Sequence, residues 1–195
     1  MKKYIVLALA ILISTSVFAQ GAKGTWNQKT CTYTNTTYGI TWALPTEIGW
    51  KKVDATGPNI CFKALDPETG LMLILNVKTD QSYGTDIWPS YPDMSSKDYK
   101  DYVIKGARAA GVTIKSMDVV KSQLDGVHAL KTTTSMKKND PAFGGVVDIT
   151  DITYSFILNN KLYSVDIQAL KALFDEVEGF DQAINMLFKG IKISK

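Results

Sequence analysis

Apolar and polar positions change period three times along this chain, from strand to helix, back to strand and again to helix. In the second half, Tyr163, Val165, Ile167 and Ala169 alternate with Ser164, Asp166 and Gln168. That is the period of a strand with one buried and one wet face. The run Lys161 to Leu170 faces a second, Val147 to Leu158, across Asn159-Asn160. Asparagine tolerates the left-handed backbone that a two-residue hairpin needs, so this pair predicts a hairpin. Val112 to Val120 and Val127 to Ser135 flank the turn Leu124-Asp125-Gly126 and predict another pair of strands. In the first half, the short runs Thr30 to Thr34 and Gly39 to Leu44 meet at Tyr38-Gly39, and Pro45 ends the second. Ile60 to Leu65 and Leu71 to Val77 flank Asp66-Pro67-Glu68-Thr69-Gly70, whose Pro and Gly suit a turn.

Helical spacing appears in two places. Tyr99, Tyr102, Val103, Ala107 and Ala110 predict a helix over Ser96 to Ala110, opened by a Ser95–Asp98 capping box and closed by Gly111. Asp101 and Lys105 stand four apart, acid first, the favourable order on an exposed face. After residue 170, Leu173, Phe174, Val177, Phe180, Ile184, Leu187 and Phe188 form an apolar side. Gly179 breaks it, so that helix starts at 171 or at 178. Hairpin-joined strands with two helices to cover them make an antiparallel sheet of the α+β class.

The amino terminus follows a different logic. Lys2 and Lys3 precede the apolar run Tyr4 to Ile13, and Val17-Phe18-Ala19 supplies small residues at the two recognition positions. Residues 1–19 therefore read as a cleavable export signal, too short for a comfortable membrane span of ~20 residues. The first cysteine is Cys31, so no lipid-attachment cysteine follows the cleavage site. The expected location is periplasmic or secreted, with no membrane span after cleavage. Residues 20–30 are polar and glycine-bearing and read as a flexible leader. Of the 195 residues, 45% are hydrophobic and 21% charged, ordinary globular values. Removing Lys2 and Lys3 lowers the formal charge from +3 to +1. Such a balance gives no field for nucleic acid. In an exported chain, Cys31 and Cys61 either pair or stay as buried thiols. A bridge would close about 31 residues and stabilise by ~3.5 kcal/mol on the chain-entropy account.

Four stretches in this order resemble the PsbP-like superfamily. They are Tyr38-Gly39-Ile40-Thr41-Trp42-Ala43-Leu44-Pro45 followed by Trp50; Leu124-Asp125-Gly126-Val127-His128-Ala129; Tyr154 to Val165 around Asn159-Asn160-Lys161; and Phe174 through Asp181 to Leu187-Phe188-Lys189. The superfamily includes Mog-type Ran-binding proteins and exported bacterial members of the DcrB and LpqN kind. The resemblance implies an α-β-α sandwich and one domain over 31–195. Its motifs mark the fold and carry no catalytic residues, and its members' roles range from photosystem stabilisation to GTPase binding. The chain departs from the pattern in its aromatic loop at 84–92 and in lacking the usual serine before the final phenylalanine.

Candidate chemistry is sparse. His128 is the only histidine and has no acidic partner at a diagnostic spacing. Asp148 and Asp151, three apart in one strand, point to opposite faces and read as solvated acids. Asp80, Asp86 and Asp93 lie in the long connection at 78–94 but lack the frame of a calcium loop. Gly144-Gly145 has no following Lys-Ser/Thr and is no phosphate loop. Asn35-Thr36-Thr37 fits a glycosylation sequon that a bacterial exported protein seldom uses. No catalytic residue, metal site or cofactor is assigned.

The connection's aromatic segment stands out. It holds Ile87, Trp88, Tyr91 and Met94, residue types that anchor interfaces or fold back as a lid over the core. The leading expectation is a non-enzymatic exported binding or accessory protein, its partner another envelope protein. The alternatives are a carrier of a small apolar ligand held between sheet and helices, and a hydrolase of unrecognised type. An interaction module exposes Trp88 and Tyr91; a carrier shows a pocket of at least ~300 Å³. A hydrolase brings His128 to a carboxylate or hydroxyl inside a cleft.

Overall fold

The four alternating runs of the second half extend into long strands, three strands of the first half continue their sheet, and a small sheet and the helices pack on its two faces. The computed structural model describes residues 24–55, 57, 59–80, 83–140 and 145–194. Residues 1–19, read above as an export signal, and the glycine-bearing stretch 141–144 lie outside them. Among the described residues the order is β1 (Thr25–Asn27), β2 (Thr32–Asn35), β3 (Ile40–Ala43), β4 (Lys51–Lys52), β5 (Ile60–Leu65) and β6 (Met72–Thr79). A 3-10 turn (Trp88–Ser90), α1 (Tyr91–Met94) and α2 (Lys97–Ala109) follow. Then come β7 (Thr113–Leu124), β8 (Val127–Asp140), β9 (Gly145–Leu158), β10 (Lys161–Leu170), α3 (Lys171–Glu176), α4 (Phe180–Lys189) and β11 (Ile191–Ile193).

The strands form two antiparallel sheets. The large one runs β4-β5-β6-β10-β9-β8-β7, and the small one β1-β2-β3-β11. Local turns explain the hairpins. Asn159 and Asn160 have φ of 50° and 56°, as the two-residue turn requires. Asp125 and Gly126, at 46° and 73°, turn β7 into β8. The join between the halves is non-local: β10 lies between β9 and β6, with Val165 opposite both Tyr154 and Leu75.

One face of the large sheet meets the small sheet and α4. Tyr33 and Trp42 of the small sheet, Leu73, Val165 and Phe156 of the large one, and Leu187 of α4 share one apolar core. The opposite face carries two smaller clusters. Ile87, Met94, Leu130 and Ile157 fill the first; Val103, Ala107, Met136 and Ile149 fill the second under α2. The class is α+β, as the sequence implies.

Several details differ from the sequence reading. Within the stretch 20–30 read as a leader, Thr25–Asn27 form β1, which pairs with β2, and Trp26 packs on the core. Strands β4 and β11 carry no sequence signal at two and three residues. The helix after β10 is split: Val177 is extended and Gly179 takes a left-handed φ of 74° before α4. The cap of α2 is Ser96, whose side chain accepts from the Tyr99 N–H, while the Ser95 hydroxyl donates back to the Tyr91 carbonyl. Asp101 pairs back to Lys97. Cys31 and Cys61 are buried free thiols, each directed at a nearby carbonyl, of Gln28 and Asn59 respectively. Burial pushes the Cys61 thiol up to about 12, so it stays protonated and unreactive. The face of β10 expected to be wet is largely closed: Asp166 is 7% exposed.

Candidate functional site

The long connection after β6 closes over the end of the β7–β8 hairpin, and one carboxylate organises it. Asp86 Oδ1 accepts the Trp88 N–H at 3.0 Å, which starts the 3-10 turn, and Pro89 follows with its φ already set. Asp86 Oδ2 lies 3.0 Å from His128 Nδ1. Burial works against the Asp86 charge, but the Trp88 N–H, the His128 ring and the Ile87 N–H outweigh it and hold its carboxyl below the usual range. The lone histidine therefore has an acidic partner, 42 residues away in sequence. Both side chains are about two-fifths exposed, which makes the pair a positioning contact at the surface.

Trp88 is the centre of this cluster. Its ring stacks on His128 with centroids 3.6 Å apart and planes 2° apart. Its indole N–H points between two carbonyls, of Ser122 at 3.2 Å and Ala129 at 3.1 Å, one on each strand of the hairpin. The Lys121 ammonium sits 5.3 Å from the Trp88 ring centre and 5.4 Å from that of Tyr91, a cation held by two aromatic faces. Tyr91 and Trp88 are half-buried, and Lys121 is exposed.

The four sequence-chosen binding residues thus separate. Ile87 is fully buried and Met94 nearly so, both in the cluster under the connection, so neither offers a contact surface. Trp88 and Tyr91 keep a partly open edge beside Lys121 and His128. Sequence reading missed Lys121 and Asp86 as members of the cluster; the one available signal was the isolated histidine beside a hairpin turn. Asp86 faces His128, and among the described residues no cluster of three or more His, Cys, Asp or Glu side chains is placed to hold a metal. No helix of the described residues is long and apolar enough to cross a membrane. A crevice at the sheet end, lined by Gly70, Met72, Lys138, Ile149 and Gln168 among others, has a volume of about 10 Å³. That is room for one water.

The pinning role of Trp88 has a measurable consequence. Trp88→Ala removes the ring, the stack on His128 and the indole donor together. It should lower unfolding free energy by about 2 kcal/mol, read by urea denaturation. Trp88→Phe keeps a stacking ring and should recover roughly half of that loss.

Asp148 and Asp151 do point to opposite faces, but with unequal fates. Asp148 pairs with Lys115 and with Lys137, which lower its carboxyl's pKa. Asp151 is 3% exposed and is therefore no solvated acid.

The fold is similar to that of solved PsbP-like proteins. It matches cyanobacterial PsbP (CyanoP) of Synechocystis sp. PCC 6803 with a TM-score of 0.52 at 16% identity, over 89% of this chain and 98% of that one. LpqN of Mycobacterium tuberculosis, described as involved in cell envelope biogenesis, matches with a TM-score of 0.43 at 15% identity, over 80% and 83%. No protein-family model matches the chain, and no curated protein matches its sequence. The PsbP-like architecture expected from the four sequence stretches is the architecture observed.

Proposed function

We propose that this protein is a non-enzymatic exported binding or accessory protein. It engages another protein of the cell envelope through the ledge formed by Trp88, Tyr91, Lys121 and His128. The observation that carries this reading is the fixed geometry of the ledge. Two aromatic faces and a cation stand at a surface, on a loop pinned by the indole bonds of Trp88. Partly exposed Trp and Tyr lose little side-chain entropy on binding and are frequent anchors of protein interfaces. The export signal read at 1–19 supports an envelope location.

A hydrolase reading is weaker on the same geometry. Asp86 orients the imidazole, but Trp88 covers its face, so the ring serves as a stacking platform. The reading is tested by placing the photocrosslinker p-benzoylphenylalanine at Tyr91, at Lys121 and, as a control, at the exposed Lys189 in cells. Discrete envelope-protein adducts are expected from positions 91 and 121 only, and Trp88→Ala should abolish them. Equal labelling at all three positions, or none at 91 and 121, overturns the reading.

A further inference from the structure

Between the two apolar clusters on the face that α2 partly covers, the large sheet is polar. Thr134 comes from β8, Asp151 and Thr153 from β9, Ser164 and Asp166 from β10, and Asn76 from β6. Thr134, Asp151 and Thr153 are at most 3% exposed, and Asp166 and Asn76 each 7%.

The hydrogen bonds here do not suit two anions. Asp166 Oδ1 accepts from the Thr153 hydroxyl at 2.7 Å and from the Ser164 hydroxyl at 2.7 Å, and its Oδ2 accepts from the Asn76 amide at 2.8 Å. The Thr153 oxygen also lies 2.9 Å from Asp151 Oδ2. A hydroxyl has one proton and can donate to only one of the two carboxyls. Burial raises the Asp166 carboxyl too, but with three donors opposing that rise it is the better-supported anion of the two. The short contact to Asp151 is then attractive only if Asp151 itself carries a proton and donates it to Thr153. Asp151 Oδ1 and the Thr134 hydroxyl opposite it in the ladder are buried and unsatisfied, and although the Thr153 and Gln168 side chains favour the Asp151 charge, burial outweighs them.

We propose that Asp151 holds a proton at neutral pH and that the chain Asp151 O–H to Thr153 O–H to Asp166 carboxylate is a proton-operated latch between β9 and β10. Above its titration the Asp151 carboxyl releases that proton to solvent, leaving two carboxylates around a single hydroxyl. The strand affected is β10, the one that joins the two halves of the sheet. Of the charged groups that act on Asp151, Asp166 on β10 opposes its ionisation and Lys138 on β8 favours it. The facing residue from β6 is the neutral Asn76, and Tyr99 of α2, in both flanking clusters, is pushed up to about 12 by burial and stays neutral. Burial first, and Asp166 second, push Asp151 up to about 7. The crevice with room for one water is lined by Gln168, the ladder partner of Asp151, and by Lys138.

The sign follows from linkage. An aspartate raised in the folded state above its ordinary ~3.9 contributes stability that is complete below that value and is lost as pH rises through the folded one. The test is carboxyl ¹³C NMR of aspartate-labelled protein from about pH 4 to about pH 9, with urea midpoints at each pH. One carboxyl should titrate near neutral pH, well above the ordinary range, and be missing from Asp151→Asn. In Asp166→Asn its midpoint should fall. The urea midpoint should decline with pH in the wild type and be flat in Asp151→Asn. Infrared detection of a protonated carboxylic acid at neutral pH asks the same question of the unmutated protein. If no carboxyl titrates above about pH 6, or the raised one persists in Asp151→Asn, the proposal is overturned.

Discussion

Trp42→Ala is expected to remove about 4 kcal/mol or more of unfolding free energy, read as a shift of the urea midpoint. Trp42 has no exposed surface. It sits in the middle of β3, opposite Tyr33 on β2 and Ile191 on β11, so the small sheet closes around it. Its ring meets Phe62 of the large sheet edge-on at 6.1 Å. Its indole N–H donates to the Leu187 carbonyl at 2.9 Å, a carbonyl in the last turn of α4 that also receives the Gly190 N–H at 3.3 Å. One residue thus ties the small sheet, the large sheet and the last helix together. Trp42→Phe separates packing from bonding. It retains most of the ring and loses only the donor to Leu187, for a cost of about 1–2 kcal/mol. A loss under about 2 kcal/mol for the alanine variant would show that the two sheets do not depend on this contact.

What the sequence shows and hides follows from how far each interaction reaches along the chain. The Asn159-Asn160 hairpin was legible because a turn is chosen by the residues inside it. β5 and β10 were bounded to the residue, since proline, glycine and asparagine punctuate both. The pairing of β10 with β6 was not legible: Gln168 opposite Met72 is a contact between distant segments, and nothing local specifies it. The alternation in β10 did identify two faces. It could not say what lies over the second, so Asp166 was read as wet although hydroxyls and an amide enclose it. Asp151 was misread for the same reason. The Asp86–His128 pair failed differently, since two ordinary polar residues far apart give no pattern until Trp88 bridges them. The four family-like stretches were more informative than any single pattern because they encode the order of non-local packing.

Gly190→Ala is the second change expected to be severe, and its sign separates space from backbone freedom. Gly190 has φ of −68° and ψ of −9°, which alanine adopts readily. On backbone entropy alone the substitution should stabilise by ~0.4–1 kcal/mol. The space forbids it. A Cβ at this position would stand 2.0 Å from the Ala43 carbonyl oxygen, 3.2 Å from its carbon and 3.3 Å from the Leu187 oxygen. These are backbone atoms and cannot rotate away. The Ala43 N–H donates to the Gly190 carbonyl at 3.0 Å, so the close approach is also a hydrogen bond between β3 and the chain leaving α4. An added methyl must push α4 and β11 off β3, stretching the Trp42–Leu187 bond with them. The expected loss is about 3 kcal/mol. Gly106→Ala in α2 is the matched control: a Cβ there meets nothing within 4 Å, in an exposed helix interior. It should stabilise by up to ~1 kcal/mol. Urea unfolding of the two variants should therefore move in opposite directions. A neutral or stabilised Gly190→Ala protein would mean that the end of α4 does not press on β3 in solution. The small sheet would then be held by the Trp42 core alone.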